Sequence, residues 1–271
     1  MVVTHGDISK AADLMGLSGG IVCLHSSLKS FGMVEEGARS IINGLLNKDI
    51  TVVVPTFYNG AVVAPPPGKQ ILRNGTDYSL LPEAGEVAPY KPVPCMIEKS
   101  MGVIPAFVLK MKECVRGDHP VNSFSAIGPK AQDIIECQKP LDVYAPFRKL
   151  YDKDDAFIVL AGVDLTKTTA IHFAEQLAGR RLFRAWARIS DGDIQETEVG
   201  SCSDGFNRLR EFTDPIEKSI CVGESLWRVF PFREFIDTVT QAIKDNQSIT
   251  HCGDMNCLRC NDAVRGGPVF R

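Results

Sequence analysis

Three short apolar runs, each ended by polar or turn-forming residues, constrain most strongly how this chain can fold. They read "GIVCLHSSL" at 20–28, "DITVVVPTF" at 49–57 and "DAFIVLAGV" at 155–163. Short runs rich in β-branched residues are typical of strands buried on both faces. An amphipathic helical pattern, "EEGARSIINGLLNK", lies between the first two. We therefore predict a parallel pair of strands joined by a crossover helix in an α/β protein.

Apolar residues at helical spacing predict further helices, and an Asp-Gly turn predicts a hairpin. The proline-rich segment 57–95 is predicted to be one long functional loop. At 271 residues the chain can bury a sizeable core, and we expect a single domain over 1–271 with a cysteine-rich tail at 251–271. The predicted helices are "SKAADLMGL", "SMGVIPAFVLKMKE", "SAIGPKAQDIIECQ", "TAIHFAEQLAGRR" and "FPFREFIDTVTQAIKDN", and the hairpin strands are "RAWARI" and "IQETEV".

Composition and charge argue against several classes of partner. The 30 lysines and arginines are spread along the chain against 33 acidic residues, so no surface for nucleic acid is expected. No run approaches the roughly 18 apolar residues of a membrane span, and the first residues lack a signal-peptide pattern, which favours a soluble, cytoplasmic protein. The nine cysteines are odd in number and mostly stand singly, as expected for thiols in a reducing compartment.

The segment "LHSSLKSFG" places hydroxyl groups directly after the first predicted strand. Ser26, Ser27 and Ser30, with Lys29 as a point charge, suit a phosphate or pyrophosphate at a strand-to-helix turn. A serine-capped start of a helix fits the same residues equally well. The spacing matches neither common glycine-rich phosphate motif, so the pattern leaves both interpretations open.

The segment "RGDHPVNSF" holds His119 between Asp118 and Pro120. Proline restricts the backbone of the residue before it, which would hold the imidazole rigidly. A histidine oriented by a carboxylate can accept a proton near neutral pH. The segment is therefore a candidate for general-base chemistry, whereas "RGD" itself is expected to be a chance match.

A second histidine lies in "TAIHFAE", where His172 and Glu175 are three residues apart on a predicted helix and share one face. The helix follows a buried strand, so its N-terminus is expected to point at the crevice beyond the sheet. Taken alone, a structural pair at the edge of the core is the favoured interpretation.

The tail "THCGDMNCLRCNDA" clusters Cys252, Cys257 and Cys260 beside His251. The Cys-x-x-Cys spacing is typical of a zinc site, with His251, Cys202 or Cys221 as a fourth ligand. The same spacing begins a plant-type iron–sulfur motif, for which nothing else in the chain provides a redox role. Three reduced thiols without a metal remain the alternative.

Taken together and in order, six segments resemble the aminoglycoside 3-N-acetyltransferase family. The resemblance covers about residues 15–185. It implies an α/β fold with a mixed central sheet and helices on both sides, distinct from the common GNAT acetyltransferases. It also implies transfer of an acetyl group from acetyl-CoA to an amine. The segments are "VCLHSSLKSFG", "VVVPTF", "EKSMGVIPAFVLK", "HPVNSFSAIGPKA", "PLDVYAPFRKLY" and "VLAGVDLTKTTAIHFAE".

The resemblance also implies roles for individual residues. His119 would be the general base, and Glu175 would orient it or hold a cationic substrate, with support from His172, Ser123 and Asp118. The acetyl group would pass directly to the amine without an acyl-enzyme. The implied coenzyme A site comprises Ser26, Ser27, Lys29, Ser30, Met101, Gly102, Val103, Pro105, Phe107 and Thr169.

The acceptor amine is the least constrained part of this hypothesis. A polycationic aminoglycoside calls for a site lined with carboxylates. An acyltransferase of the same fold acting on another amine, or a zinc-stabilised binding protein without activity, are the alternatives. The candidate carboxylates are Asp77, Glu83, Glu86, Asp191 and Asp193.

Overall fold

A seven-stranded sheet lies at the centre of the computed structural model, which describes residues 2–270. The strands in this range are β1 (Val2–Val3), β2 (Ile21–Ser26), β3 (Met33–Val34), β4 (Thr51–Pro55), β5 (Val62–Val63), β6 (Val115–Arg116), β7 (Phe124–Ile127), β8 (Ala156–Ala161), β9 (Phe183–Ser190), β10 (Asp193–Val199), β11 (Lys218–Val222) and β12 (Ser225–Pro231). The α-helices in this range are α1 (His5–Leu14), α2 (Ala38–Leu46), α3 (Val103–Val108), α4 (Ala131–Ile135), α5 (Ala145–Tyr151), α6 (Ala170–Leu177), α7 (Arg210–Thr213), α8 (Phe232–Asp245) and α9 (Leu258–Val264).

The strand order of this sheet is β11-β12-β8-β2-β4-β7-β6. Strand β2 pairs in parallel with both β4 and β8, while β12 and β7 run antiparallel to their neighbours. The predicted parallel pair is confirmed, with α2 as its crossover helix. The sheet is mixed, as the family resemblance implied.

Two apolar cores lie on opposite faces of the sheet because successive side chains of a strand point to opposite faces. Ile21 and Cys23 of β2 face one core, and Val22 and Leu24 face the other. The first core is covered by α4, α5, α6 and α8, and the second by α1, α2 and α3. Helices on both sides of the sheet are therefore confirmed.

The predicted helix at 125–138 is wrong in its first part. Residues Phe124–Ile127 form β7, which pairs antiparallel with β4, and the helix is limited to Ala131–Ile135. The backbone turns at Gly128, whose φ of 119° favours glycine. The predicted helix over 100–113 is also shorter and spans Val103–Val108. At Phe124–Ile127, pairing with β4 overrides the local helical pattern.

The proline-rich segment packs back onto the protein. Its strand β5 pairs with β9 and completes a small sheet of order β10-β9-β5, which contains the predicted hairpin. Arg116 fastens the end of the segment: its guanidinium donates to the carbonyl oxygens of Val93, Met96 and Thr56 at 2.7–3.0 Å, and its Nε donates to Ser123 Oγ at 3.0 Å.

None of the helices within 2–270 is long and apolar enough to cross a membrane.

We expect Arg116→Ala to free the segment 57–101, which comprises the proline-rich loop and the short 3₁₀ turn after it, because three carbonyl groups lose their donor at once. The free energy of unfolding should fall by on the order of 3 kcal/mol. Limited proteolysis should cut within 57–101 faster than in the natural protein, whereas Lys112→Ala, at an exposed position nearby, should leave the cleavage pattern unchanged. Equal cleavage rates in both variants would contradict this role of Arg116.

Candidate active site and four-cysteine cluster

The candidate site lies at the carboxyl edge of the parallel strands. Ser26, the last residue of β2, pairs in register with Ala161, the last residue of β8. A short 3₁₀ turn, Leu165–Lys167, then leads from β8 into α6. His172 lies in the first turn of α6. This is the edge at which α/β proteins bind their ligands.

His172 and Glu175 form a buried pair. Nδ1 of His172 lies 2.7 Å from Glu175 Oε2, and the residues are 7% and 2% exposed. An ionised carboxylate only accepts hydrogen bonds, so Nδ1 carries the proton and donates it to Glu175. When the imidazole is neutral its lone pair is therefore on Nε2, for which no protein hydrogen-bond partner is found within 2–270.

Glu175 is held in its ionised form by its neighbours. Arg180 Nη1 donates to Oε1, and Ser201 Oγ donates to Oε2 at 2.7 Å. Burial by itself raises the pKa of Glu175, but the hydrogen bond from His172, the charge of Arg180 and the bond from Ser201 outweigh it, so the pKa lies below its ordinary value. A buried carboxylate ionised in this way can orient an imidazole and stabilise it when protonated.

The segment 200–206 closes one side of the His172 ring. The ring of Phe206 meets it edge-on at a centroid distance of 4.9 Å. Gly200 packs so closely that an added Cβ would lie 2.6 Å from His172 Cδ2 and 2.7 Å from the Tyr144 hydroxyl. The imidazole is therefore confined on this side by the protein.

His119 does not fit the role that the resemblance implied. It is fully buried, its Nδ1 accepts from the backbone N–H groups of Val121 and Asn122, and its Nε2 donates to the carbonyl of Glu198 at 2.9 Å. Both ring nitrogens are thus used, and no lone pair is available to a substrate amine. Burial lowers the pKa of His119 to about 4. These bonds tie the loop that carries His119 to β10.

Two supporting residues of that segment are also accounted for by local structure. Asp118 is exposed and lies 3.7 Å from Lys139, away from the His119 ring nitrogens. The buried Ser123 donates to the carbonyl of Thr56 at 2.9 Å and accepts from Arg116. The histidine that Glu175 orients is His172 rather than His119.

The residues predicted to hold coenzyme A lie in three places around the same edge. Lys29 is exposed, and the Ser27 N–H donates to the carbonyl of Ala161 at 3.0 Å. Ser30 Oγ bonds to Ser225 Oγ and to the carbonyl of Ser27, which fixes the turn. The others are Met101, Gly102, Val103, Pro105 and Phe107, which lie at or in α3, and Thr169, which is buried at the start of α6.

Each carboxylate considered for a cationic acceptor makes a local bond. Asp77 Oδ1 accepts from the Ser79 N–H, and Asp191 accepts from Arg188. Asp193 accepts from Ser190, while Glu83 and Glu86 form a reciprocal cap of a short 3₁₀ turn. These contacts give no sign of a common site.

Four cysteines converge near the pair of His172 and Glu175, which we call the dyad. We refer to Cys202, Cys252, Cys257 and Cys260 as the four-cysteine cluster. Their sulfur atoms all lie within 4.8 Å of one another. A tetrahedral zinc with Zn–S bonds of about 2.3 Å requires sulfur atoms about 3.8 Å apart. The cluster therefore has the ligand type, the number and the approximate spacing of a structural zinc site.

The structure replaces His251 with Cys202 as the fourth potential ligand. His251 uses both nitrogens elsewhere: Nδ1 accepts from the Gly253 N–H at 2.9 Å, and Nε2 lies 3.0 Å from Asn261 Oδ1. Cys221 is exposed on the edge strand β11. The backbone N–H of Cys252 donates a hydrogen bond to the Cys260 sulfur at 3.3 Å.

Arg180 and Ser201 complete the site but were not singled out from the sequence. Arg180 follows Glu175 by five residues in "EQLAGRR", a basic residue close enough to have been considered. Ser201 lies 26 residues from Glu175 and has no local pattern that connects them. The pair "SC" at 201–202 becomes informative only when Cys202 is grouped with the cysteines of the tail.

Comparison with known proteins identifies relatives along most of the chain. Residues 23–244 match the family model described as "Aminoglycoside 3-N-acetyltransferase". Aminoglycoside N(3)-acetyltransferase IV of Salmonella sp is 26% identical over 263 residues, which cover 91% of this chain and 90% of that protein.

Two solved structures show the same fold. A histidine-to-alanine mutant of the aminoglycoside acetyltransferase AAC(3)-IVa in complex with a gentamicin has a TM-score of 0.75 at 20% identity and covers 98% of each chain. AAC-IIIb in a binary complex with CoASH has a TM-score of 0.73 at 18% identity and covers 90% of this chain and 97% of that one.

The buried, neutral state of His119 predicts how stability depends on pH. Folded His119 takes up a proton only near pH 4, whereas the unfolded chain does so near pH 6.5. The unfolded chain therefore binds more protons between these values, and the free energy of unfolding should fall as the pH drops through this window. His25, whose pKa burial also lowers to about 4, acts in the same direction.

Urea unfolding of His119→Gln between pH 7 and pH 4 checks this, because glutamine does not titrate. The variant should lose roughly half of the pH dependence that the two buried histidines produce together. A pH dependence as steep as that of the natural protein would contradict a neutral His119 in the folded state.

Proposed function

We propose a specific reaction for this chain, which belongs to the aminoglycoside 3-N-acetyltransferase family and is an acyltransferase. The chain transfers the acetyl group of acetyl-CoA to the 3-amino group of an aminoglycoside. The observation that carries the proposal is the His172–Glu175 pair at the carboxyl edge of the sheet, whose Nε2 is left without a protein partner in the described range.

His172 is the general base. Its Nε2 lone pair takes a proton from the acceptor nitrogen as that nitrogen attacks the thioester carbonyl carbon. The new C–N bond forms, the C–S bond breaks, and the proton held on Nε2 passes to the departing thiolate. Since no enzyme nucleophile is needed, both substrates are bound at once.

Glu175 makes His172 an effective base in two ways. Its bond to Nδ1 fixes the tautomer that leaves Nε2 free, and its negative charge stabilises the imidazolium formed during transfer. Arg180 and Ser201 prevent the carboxylate from rotating away, because each of them donates to one of its oxygens. They are positioning residues for the base.

Coenzyme A is proposed to lie across the carboxyl edge, with the turn at Ser26–Ser30 and the segment from Met101 to Phe107 as its contacts. Helix α3 packs on one face of the sheet and α6 on the other, so a thioester that reaches His172 from α3 must pass this edge. The CoASH complex of AAC-IIIb, a protein with the same fold, supports coenzyme A as the acyl carrier.

The aminoglycoside acceptor is supported by the family match and by the structural relative in complex with a gentamicin. The loop at 57–101 and the small sheet β10-β9-β5 are the proposed walls of the acceptor site. A different amine as the acceptor remains the second candidate, favoured by the local partners of Asp77, Asp191 and Asp193.

We also propose that the four-cysteine cluster binds one zinc ion with a structural role. Four thiolates that fill a tetrahedral shell leave no open position for catalysis. The dyad lies outside this shell, so acyl transfer requires no metal chemistry.

We expect His172→Ala to lower kcat by about 10²–10⁴-fold, the usual contribution of a general base. Glu175→Gln should also lower kcat, because the amide removes the charge that stabilises the imidazolium. Release of free thiol from acetyl-CoA, measured across a panel of kanamycin-class and gentamicin-class amines, reports the reaction.

Two other histidines serve as references in this assay. His5→Ala, at an exposed position in the first turn of α1, should keep the natural kcat. His119→Gln should be less stable but keep a kcat close to that of the natural protein. If folded His119→Gln loses most of its kcat while His172→Ala stays active, the assignment of the base is reversed. If coenzyme A binds but no amine of the panel is acetylated, only the proposed acceptor is wrong.

Metal analysis of the purified protein checks the zinc proposal. We expect about one zinc per chain, as for a closed four-thiolate site. Cys202→Ser should lose most of the metal, whereas Cys221→Ser and His251→Ala should retain it, because these residues lie outside the four-cysteine cluster. Metal-free natural protein, or full zinc content in Cys202→Ser, would refute this site.

A further inference from the structure

We infer that the metal-bound four-cysteine cluster is a clamp that positions the catalytic base. The clamp acts by holding the segment 200–206 against His172 and Glu175. This inference rests on the proposed role of His172 and on zinc binding by the cluster. Four separate contacts connect the cluster to the dyad.

The first connection is covalent. Cys202 is adjacent to Ser201, whose hydroxyl donates to Glu175 Oε2 at 2.7 Å and lies 3.3 Å from His172 Nδ1. A thiolate bound to a metal has a fixed position, so the backbone of Ser201 is fixed as well. The serine hydroxyl can then maintain its bond to a carboxylate that is only 2% exposed.

The second connection comes from the tail. Arg259, which lies between two cysteines of the cluster, donates from Nη2 to the carbonyl of Gly200 at 2.6 Å. Gly200 is the residue that packs on the His172 ring with no room for a Cβ. Arg259 thus links the tail to the residue that packs against the His172 ring.

The third and fourth connections reach the other side of the dyad and the adjoining turn. Arg180 donates to Glu175, to Thr250 Oγ1 at 2.7 Å and to the carbonyl of Gln247, so the chain just before Cys252 shares the arginine that holds Glu175. Gly205 packs against the backbone of Thr250 and His251, where an added Cβ would lie 2.3 Å from the Thr250 oxygen. Phe206 follows directly and covers the His172 ring.

Without the metal, Cys202 and the tail cysteines have only weak sulfur contacts to keep them together. The segment 200–206 would then be joined to the tail only by the Arg259 bond and the packing of Gly205, and the Ser201 bond to Glu175 would be broken more often. Groups that orient a metal-ligating side chain typically change activity by about 10–100-fold when removed, and we expect an effect of the same order for a clamped base. The affinity for acetyl-CoA should change little, because the clamp contacts His172 and Glu175 rather than the segments proposed to bind coenzyme A.

The experiment compares zinc-loaded enzyme, enzyme depleted by a chelator, and two arginine variants. Arg259→Ala removes the bond to Gly200 while all four thiols remain, and Arg265→Ala, at an exposed position after α9, is the matched control. Zinc content, kcat, KM for acetyl-CoA and amide hydrogen exchange of a peptide covering 199–208 are measured for each.

We expect depletion of zinc to lower kcat by about 10-fold or more with KM changed by less than about twofold, and to speed exchange across 199–208. Arg259→Ala should keep its zinc yet show the same kinetic pattern in milder form. Arg259→Lys should recover part of the lost kcat, because lysine can also donate to Gly200. Arg265→Ala should match the natural protein.

Unchanged kcat and unchanged exchange in the depleted enzyme would overturn the inference. If depletion unfolds the whole chain, Arg259→Ala decides the question: natural kcat in the zinc-loaded variant contradicts the clamp, and a reduced kcat rescued by lysine supports it. If His172→Ala is fully active, the proposed function fails, and with it the catalytic part of the inference. Slower exchange of 199–208 in the presence of zinc would still support the holding of this segment by the metal, and zinc-independent exchange would overturn that part as well.

Discussion

The candidate active site depends on one buried carboxylate. Glu175 has almost no contact with solvent, and three side chains donate to it: His172, Arg180 and Ser201. A buried charge is costly unless it is fully paired, so these donors stabilise both the fold and the ionised state of Glu175. The same pairing decides which nitrogen of His172 carries the proton, and the proposed role of the imidazole as a base depends on it.

The two histidines of the candidate segments illustrate how surroundings determine function. His119 makes three bonds to backbone groups and is fully buried, so it closes a loop and has no ring nitrogen left for a substrate. His172 makes its protein bonds through Nδ1 alone within the described residues, and it lies at the ligand edge of the sheet. The two histidines differ in that His172 has a carboxylate partner, Glu175. Asp118 is adjacent to His119 in sequence but lies near Lys139 instead of bonding to the ring.

Local patterns predicted the parts of the fold that local physics determines. The buried strands β2, β4 and β8 were predicted because each is a short apolar run, and His172 and Glu175 were paired because helical spacing brings them together. The pairing of Ser125–Ile127 with β4 was missed, since "FSAI" carries no strong strand pattern. The burial of His119 depends on a carbonyl 79 residues away, and the convergence of Cys202 with the tail depends on the folded chain, so neither follows from spacing.

The protonation of the two histidines in the ligand-free protein tests the account most directly. Long-range proton–nitrogen correlation spectra of ¹⁵N-histidine-labelled protein, assigned with single substitutions, distinguish the two neutral tautomers. We predict that His172 carries its proton on Nδ1 and has an unprotonated Nε2, whereas His119 carries its proton on Nε2 and has an unprotonated Nδ1. A neutral His172 with its proton on Nε2 would contradict the account, because that nitrogen would then have no lone pair with which to accept a proton from the amine.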